Sequence, residues 1–245
     1  MNRTIFLSAS FALIFLSSTF AEASNSSMLL NNKTLDSKDS AVFIQIFKQE
    51  GILELYQKSL TGKYTLSKTY PICKFSGGLG PKKLQGDLKS PEGFYQITKS
   101  QLNPNSRYYR SIDLGFPNEY DKAQGYHGNY LMIHGDCVSV GCYAMTDNYM
   151  SEIYQRVETA FRNGQEKIDV NIYPFRMTAE NMQRHHTSAH YAFWQQLKPA
   201  YDYFNEAGIP AQISVTSGKY AVNSLSESPN KLLKMKLHYA LAEVK

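Results

Sequence analysis

Residues 133–147 read IHGDCVSVGCYAMTD, and the rest of the chain is organised around them. The stretch sets a histidine, His134, eight positions before a cysteine, Cys142, with Gly135 and Gly141 beside them. A cysteine attacks as its thiolate. A neighbouring imidazole can take the thiol proton, leaving a thiolate–imidazolium pair. Residues 129–133, NYLMI, are apolar and β-prone, so His134 is expected to end a buried strand. Gly135 would let the chain turn sharply there. Gly141 would let the backbone before Cys142 approach a ligand, with the N–H groups of Val140, Gly141 and Cys142 facing a developing oxyanion. The competing reading is a buried structural cysteine in a glycine-rich turn.

Working outward, the chain before this stretch reads mostly as strands. Val42, Ile44, Ile46 and Phe47 are spaced to suggest a short helix over 41–49, capped by Ser40 and stopped by Gly51. Residues 53–58 and 63–70 flank Ser59-Leu60-Thr61-Gly62 and are expected to form a hairpin. Residues 76–93, rich in Gly and Lys with Pro81 and Pro91, read as a loop, and 94–98 and 110–114 as further strands. After Cys142 the pattern turns helical. Asp147 or Thr146 can cap a helix over 149–162, with Ile153, Val157, Ala160 and Phe161 on one face. A strand over 168–173, a short helix over 179–186 and an aromatic-rich helix over 190–207, stopped by Gly208 and Pro210, follow. Strands first, then a strand among helices, give an α+β class.

The central stretch resembles the active-site signature of the YkuD family, the L,D-transpeptidase catalytic domain. That family places a catalytic His before Gly or Ser, then a loop, then Ser/Thr-His-Gly-Cys. Here the parts are His134-Gly135 and Ser139-Val140-Gly141-Cys142. Val140 replaces the usual second histidine and the loop is short. Both departures resemble the YafK-like branch, as do residues 143–147, 103–106 and Pro174-Phe175-Arg176-Met177. Upstream, GDLKSPEGFY over 86–95 is similar to the family's G-D-x-K-T-P-E-G-x-F/Y segment. The likeness covers residues 40–215. It implies a curved, mainly antiparallel β-sandwich with the C-terminal helices packed against it, and Cys142 and His134 at one end of a sheet. It also implies an enzyme that needs no cofactor.

Composition frames the same picture. Arg3, the apolar run over 5–16 and Ala21-Glu22-Ala23 form a secretory signal peptide over 1–23, with an uncleaved anchor as the alternative. The expected organisation is that signal peptide, a loose leader over 24–39, a catalytic domain over 40–224 and a helical tail over 225–245, with a periplasmic location. No later segment is long and apolar enough to be a stable membrane span. The formal charge is +5, and Lys and Arg are spread along the chain, which is no nucleic-acid footprint but suits an anionic substrate. Three cysteines leave at least one thiol unpaired. If Cys142 is the nucleophile, Cys73–Cys137 is the only harmless pairing.

From the family resemblance we expect an exported cysteine enzyme that acts on peptidoglycan peptides through a thioester on Cys142. His134 would be the base, the Gly135 carbonyl would fix its tautomer, and the Gly141–Cys142 backbone would hold the oxyanion. Arg176, Ser139, Glu92 and Tyr143 are the candidate substrate contacts, with Ser139 and Glu92 equally readable as turn residues and Arg176 as a surface ion pair. The branch favours hydrolysis of the link between diaminopimelate and the lysine of a murein-bound lipoprotein. Cross-linking or lipoprotein attachment by transpeptidation is the alternative, and a catalytically silent wall-binding module is the competing class. His185, His186 and His190 lack the glutamate or cysteine that would complete a metal set, so no metal site is expected. Asp136 reads either as charging the site or as a turn residue.

Overall fold

The computed structural model describes residues 41–223; the expected signal peptide, leader and C-terminal tail lie outside the described residues. The first described element departs from expectation. Residues 42–47, VFIQIF, form strand β1 (Val42–Phe47), not a helix, and all six are buried. The reason is position. On one side β1 pairs antiparallel with β2 (Ile52–Lys58), and on the other it pairs parallel with β9 (Ile168–Tyr173). A central strand covered on both faces reads as an unbroken apolar run, and such a run contains helix-like spacings by chance.

Strands β3 (Tyr64–Pro71) and β4 (Gly93–Ile97) complete a five-stranded sheet in the order β3-β2-β1-β9-β4. The expected hairpin over 53–70 is its β2–β3 edge. A second sheet has four strands in sequence order: β5 (Leu102–Ser106), β6 (Tyr109–Asp113), β7 (Met132–His134) and β8 (Tyr143–Ala144). Its last pair, β7–β8, runs parallel, as β1–β9 does; the other pairings are antiparallel.

The two sheets share one core. Ile44, Ile46, Val170 and Ile172 meet Ile112, Ile133 and Tyr143, and α2 (Asp147–Arg162) inserts Met150, Ile153 and Val157. Those helix positions recur at i, i+3 and i+7, the stripe that one helix face presents to a core. Burying each such side chain contributes roughly 1.5–3 kcal/mol. The other face of the five-stranded sheet is covered by α4 (Tyr191–Ala207). Its Trp194, Leu197 and Tyr201 pack with Phe47, Phe94 and Tyr173. Gly208 ends α4 at φ 72°, as its place after the last turn predicts. Helix α3 (Ala179–Arg184) precedes it. Several elements were not foreseen: β5, β8, α1 (Glu119–Ala123), and a hairpin of β10 (Gln212–Thr216) and β11 (Lys219–Asn223) beside α4.

Candidate active site

Strand β7 ends on His134, and β8 begins one residue after Cys142. Their register sets Ile133 against Tyr143 and His134 against Ala144. Cys142 therefore sits just before the strand that pairs with the His134 strand. The eight-residue spacing in sequence is therefore the return path from one parallel strand to the next.

His134 is 2% exposed, and its Nδ1 lies 2.5 Å from the Gly135 carbonyl oxygen. A carbonyl only accepts, so Nδ1 carries the hydrogen and Nε2 is left as the basic nitrogen. Tyr108, from the β5–β6 turn, lays its ring 4.9 Å from the imidazole. Cys142 is a free thiol, 8% exposed, donating to the Tyr130 carbonyl at 3.3 Å. Burial pushes the Cys142 thiol up from its ordinary value. Burial also pulls His134 down, with the Gly135 hydrogen bond and Asp136 opposing. Both shifts favour the uncharged forms. Burial therefore works against the thiolate–imidazolium pair that the sequence suggests, because it strips solvent from either charge.

The backbone turn also differs in detail. Gly135 is not in the left-handed region; Asp136 (φ 62°) and Cys137 (φ 34°) are. Gly135 is needed for contact. A Cβ there would lie 2.6 Å from Asp147 Oδ1 and 2.9 Å from Tyr109 Cβ. Thr146 takes the cap of α2, which leaves Asp147 to accept the Asp136 N–H at 2.7 Å. Asp136 is thus a turn residue. A disulfide joins Cys73 to Cys137, with Cα atoms 5.3 Å apart, and keeps Cys142 unpaired.

The model of the YkuD L,D-transpeptidase catalytic domain matches residues 42–172 of this sequence. The chain belongs to the YkuD L,D-transpeptidase family. It is 57% identical to the "Putative L,D-transpeptidase YafK" of Escherichia coli (strain K12) over 184 residues, covering 75% of this chain and 74% of that one. Among solved structures, the helical cell shape determining protein Pgp2 from Campylobacter jejuni aligns over 72% of this chain and 73% of its own, at 20% identity and a TM-score of 0.44. Mycobacterium tuberculosis L,D-transpeptidase 1 aligns over 54% of this chain and 61% of its own, at 10% identity and a TM-score of 0.32.

In this L,D-transpeptidase-family enzyme two serines missed by sequence reasoning fix the backbone at Gly141 and Cys142. Gly141 N–H donates to Ser76 Oγ at 2.8 Å, so that N–H already has an acceptor and does not point freely at an oxyanion. The Cys142 carbonyl accepts from Ser139 Oγ at 2.8 Å and from Ser90 Oγ at 3.2 Å. Ser139 therefore acts within the turn. Ser90 lies inside the 86–95 segment, so the signal was present; Ser76 carries none.

The other candidate contacts fall into two groups. Glu92 and Tyr143 are 0% exposed. Glu92 Oε1 accepts from Gly80 N–H at 2.7 Å and pairs with Lys48 Nζ at 3.0 Å, and Oε2 accepts from Trp194 Nε1 at 2.8 Å. Tyr143 donates its hydroxyl to the Pro91 carbonyl at 2.6 Å. Both residues brace the site from below and offer no surface to a substrate. Arg176 is elsewhere. It pairs with Glu54, sits 4.6 Å over the Phe47 ring and takes Glu50 through its backbone N–H. These partners lie on the α4 face of the five-stranded sheet, away from the sheet that carries His134. Next to Gly141 lies a cavity of about 100 Å³ lined by Lys82, Gly86, Tyr130, Val140 and Gly141. Leu84, Leu88, Tyr130 and Val140 stand exposed around it. Lys82 is anchored there by Asp87 at 2.6 Å. Burial raises the Asp87 carboxyl, but Lys82 and the N–H groups of Leu84, Lys83 and Lys89 outweigh it and hold it at about 2.

Proposed function

We propose that this YkuD-family enzyme acts on peptidoglycan stem peptides through an acyl-enzyme on Cys142. The observation that carries the reading is a free, buried thiol one residue before β8, the strand paired with the one that ends on His134, whose Nδ1 is fixed by the Gly135 carbonyl. Cys142 Sγ attacks the carbonyl on the L-centre of diaminopimelate while its proton passes to His134 Nε2. The tetrahedral intermediate collapses, the C–N bond breaks, and the imidazolium returns the proton to the leaving amine. The thioester then passes to water or to an amine. We propose water, with the amine of a lipoprotein lysine as leaving group, because the chain resembles the YafK-like branch. We further propose export through residues 1–23, which N-terminal sequencing of the mature protein tests directly.

Mass spectrometry of muropeptides and lipoprotein-bearing sacculi, with and without the purified protein, separates the readings. Lipoprotein released with a free lysine amine, and muropeptides ending in a free diaminopimelate carboxyl, are expected; new cross-links would replace hydrolysis by transpeptidation. Inertness of the wild type would leave the silent binding module. Burial of both groups makes a further prediction. His134→Ala should lower kcat by about 10²–10⁴-fold. Alkylation of Cys142 at neutral pH should hardly change, because burial disfavours a thiolate held by His134. An imidazole whose pKa is lowered stays a base at lower pH. The acid limb of kcat/KM is therefore expected below about 6.5, the ordinary histidine value.

A further inference from the structure

Among the described residues, a cavity larger than the one beside Gly141 lies elsewhere. It measures about 880 Å³ and opens on the α4 face of the five-stranded sheet, beneath the β10–β11 hairpin. Its floor is set by register. Phe94 opposes Asn171 and Gln96 opposes Asp169 across β4 and β9, so these four side chains share one face. Gln96 donates to Asp169 at 2.8 Å and Asn171 donates to Tyr173 at 3.1 Å. Burial raises the Asp169 carboxyl, with Gln96 and Lys167 opposing. The facing wall is apolar and aromatic: Ile213 and Val215 from the hairpin, and Tyr220, whose ring packs 4.8 Å from Phe94 and 4.3 Å from Tyr120.

This lining selects among ligands. A purely apolar guest would cover Asp169, Asn171 and Gln96 without giving them new partners, at roughly 1–3 kcal/mol for each group left unsatisfied. An anion would meet Asp169 and Glu119 against a single cation, Lys58. What fits is a neutral molecule with hydroxyl donors on its edge and C–H faces for the rings. That is the chemistry of a pyranose, and the volume is in the range of small-ligand sites, about 300–1,000 Å³. We propose that this cavity is a saccharide subsite, taking a short stretch of glycan through Asp169, Asn171 and Gln96 with Phe94 and Tyr220 as its apolar walls. It rests on the wall-directed reading only for the natural ligand, the glycan strand that carries the stem peptides. A site on the opposite face of the sheet from Cys142 would hold the polymer while the peptide reaches the nucleophile.

The test uses N-acetylglucosamine trimers and tetramers, which lack the stem peptide and so do not report on Cys142. Binding is measured by calorimetry and ligand-observed NMR on the purified full chain. Saturable binding by the wild type and equally by Cys142→Ala is expected. Ile213→Trp, which fills the cavity from the hairpin, and Asp169→Ala should each weaken binding by about tenfold or more, the equivalent of one lost hydrogen-bonded contact. Ile213→Trp keeps the strand floor intact, and circular dichroism checks both variants for folding. Cleavage of a soluble stem peptide should be unchanged in Ile213→Trp, while action on intact sacculi falls. No saturable binding by the wild type, or equal binding by a folded Ile213→Trp, would overturn the proposal. Saccharide binding by a protein inert towards muropeptides would overturn the catalytic reading and leave this one standing.

Discussion

Two loops meet at Cys142, and they are fixed in opposite ways. The loop over 135–142 is tied covalently, through Cys137 to Cys73, and by the Asp136 N–H to Asp147. The loop over 76–92 carries no covalent tie. It closes around a fully buried ion pair: Lys48 Nζ reaches Glu92, the Gly80 carbonyl at 3.1 Å and the Ser90 carbonyl at 3.0 Å, and Glu92 is held in turn by Trp194 of α4. Burial pulls Lys48 down from its ordinary value, with Glu92 opposing. Such a pair adds little net stability over apolar packing, but losing one partner strands the other charge. The contrast shows that the support of the Cys142 backbone extends through the five-stranded sheet. One loop depends on a bond near the site, the other on a helix that covers the sheet's far face.

That contrast can be broken from either side. Glu92→Ala leaves Lys48 buried and unpaired and is expected to cost about 3–5 kcal/mol, read from urea unfolding, with activity falling beyond the loss of folded protein. Glu92→Gln keeps one acceptor oxygen and the side-chain volume, though its NH2 faces either the Gly80 N–H or the Trp194 Nε1–H, and should cost less than the alanine variant. If the alanine variant unfolds like wild type, the ion pair does not anchor the loop. Replacing both Cys73 and Cys137 by serine opens a loop spanning a sequence separation of 64 and should cost roughly 2–4 kcal/mol. The remaining thiol is Cys142, so this variant should keep measurable turnover; complete loss would mean that the disulfide sets the catalytic geometry itself.

Smaller changes sharpen the comparison. Ser76→Ala removes the acceptor of the Gly141 N–H and should cost about 1 kcal/mol in thermal unfolding, with a moderate fall in kcat. An unchanged kcat would show that the hydroxyl does not position the backbone before Cys142. Arg176→Ala is expected to have the least effect, because its pair with Glu54 is partly exposed and exposed pairs contribute about 0–1 kcal/mol. A rise in KM on soluble stem peptide in that variant would restore Arg176 as a substrate contact.

How much of this was legible can be judged residue by residue. The apolar stripe of α2, the Gly208 stop and the β2–β3 hairpin follow from local spacing, since 3.6- and 2-residue periods and left-handed glycine are properties of a chain segment alone. His134, Gly135 and Cys142 were legible because the chemistry constrains neighbours in sequence. β1 was misread because a doubly covered strand has no polar face to reveal its period. The β10–β11 hairpin and α1 are short and gave no strong pattern.

The sequence by itself determined the class and the family. Only the tertiary structure decided how deeply Cys142 and His134 are buried and which way burial shifts each, because desolvation is set by what packs around a group and not by its neighbours in the chain. It also reassigned Glu92 and Tyr143 from cleft to foundation and placed Arg176 on the far face, since burial and the side of a sheet on which a residue acts depend on pairings between strands. Lys48 and Trp194, 146 positions apart in the chain, meet on one carboxylate only after five strands and a helix have closed around it.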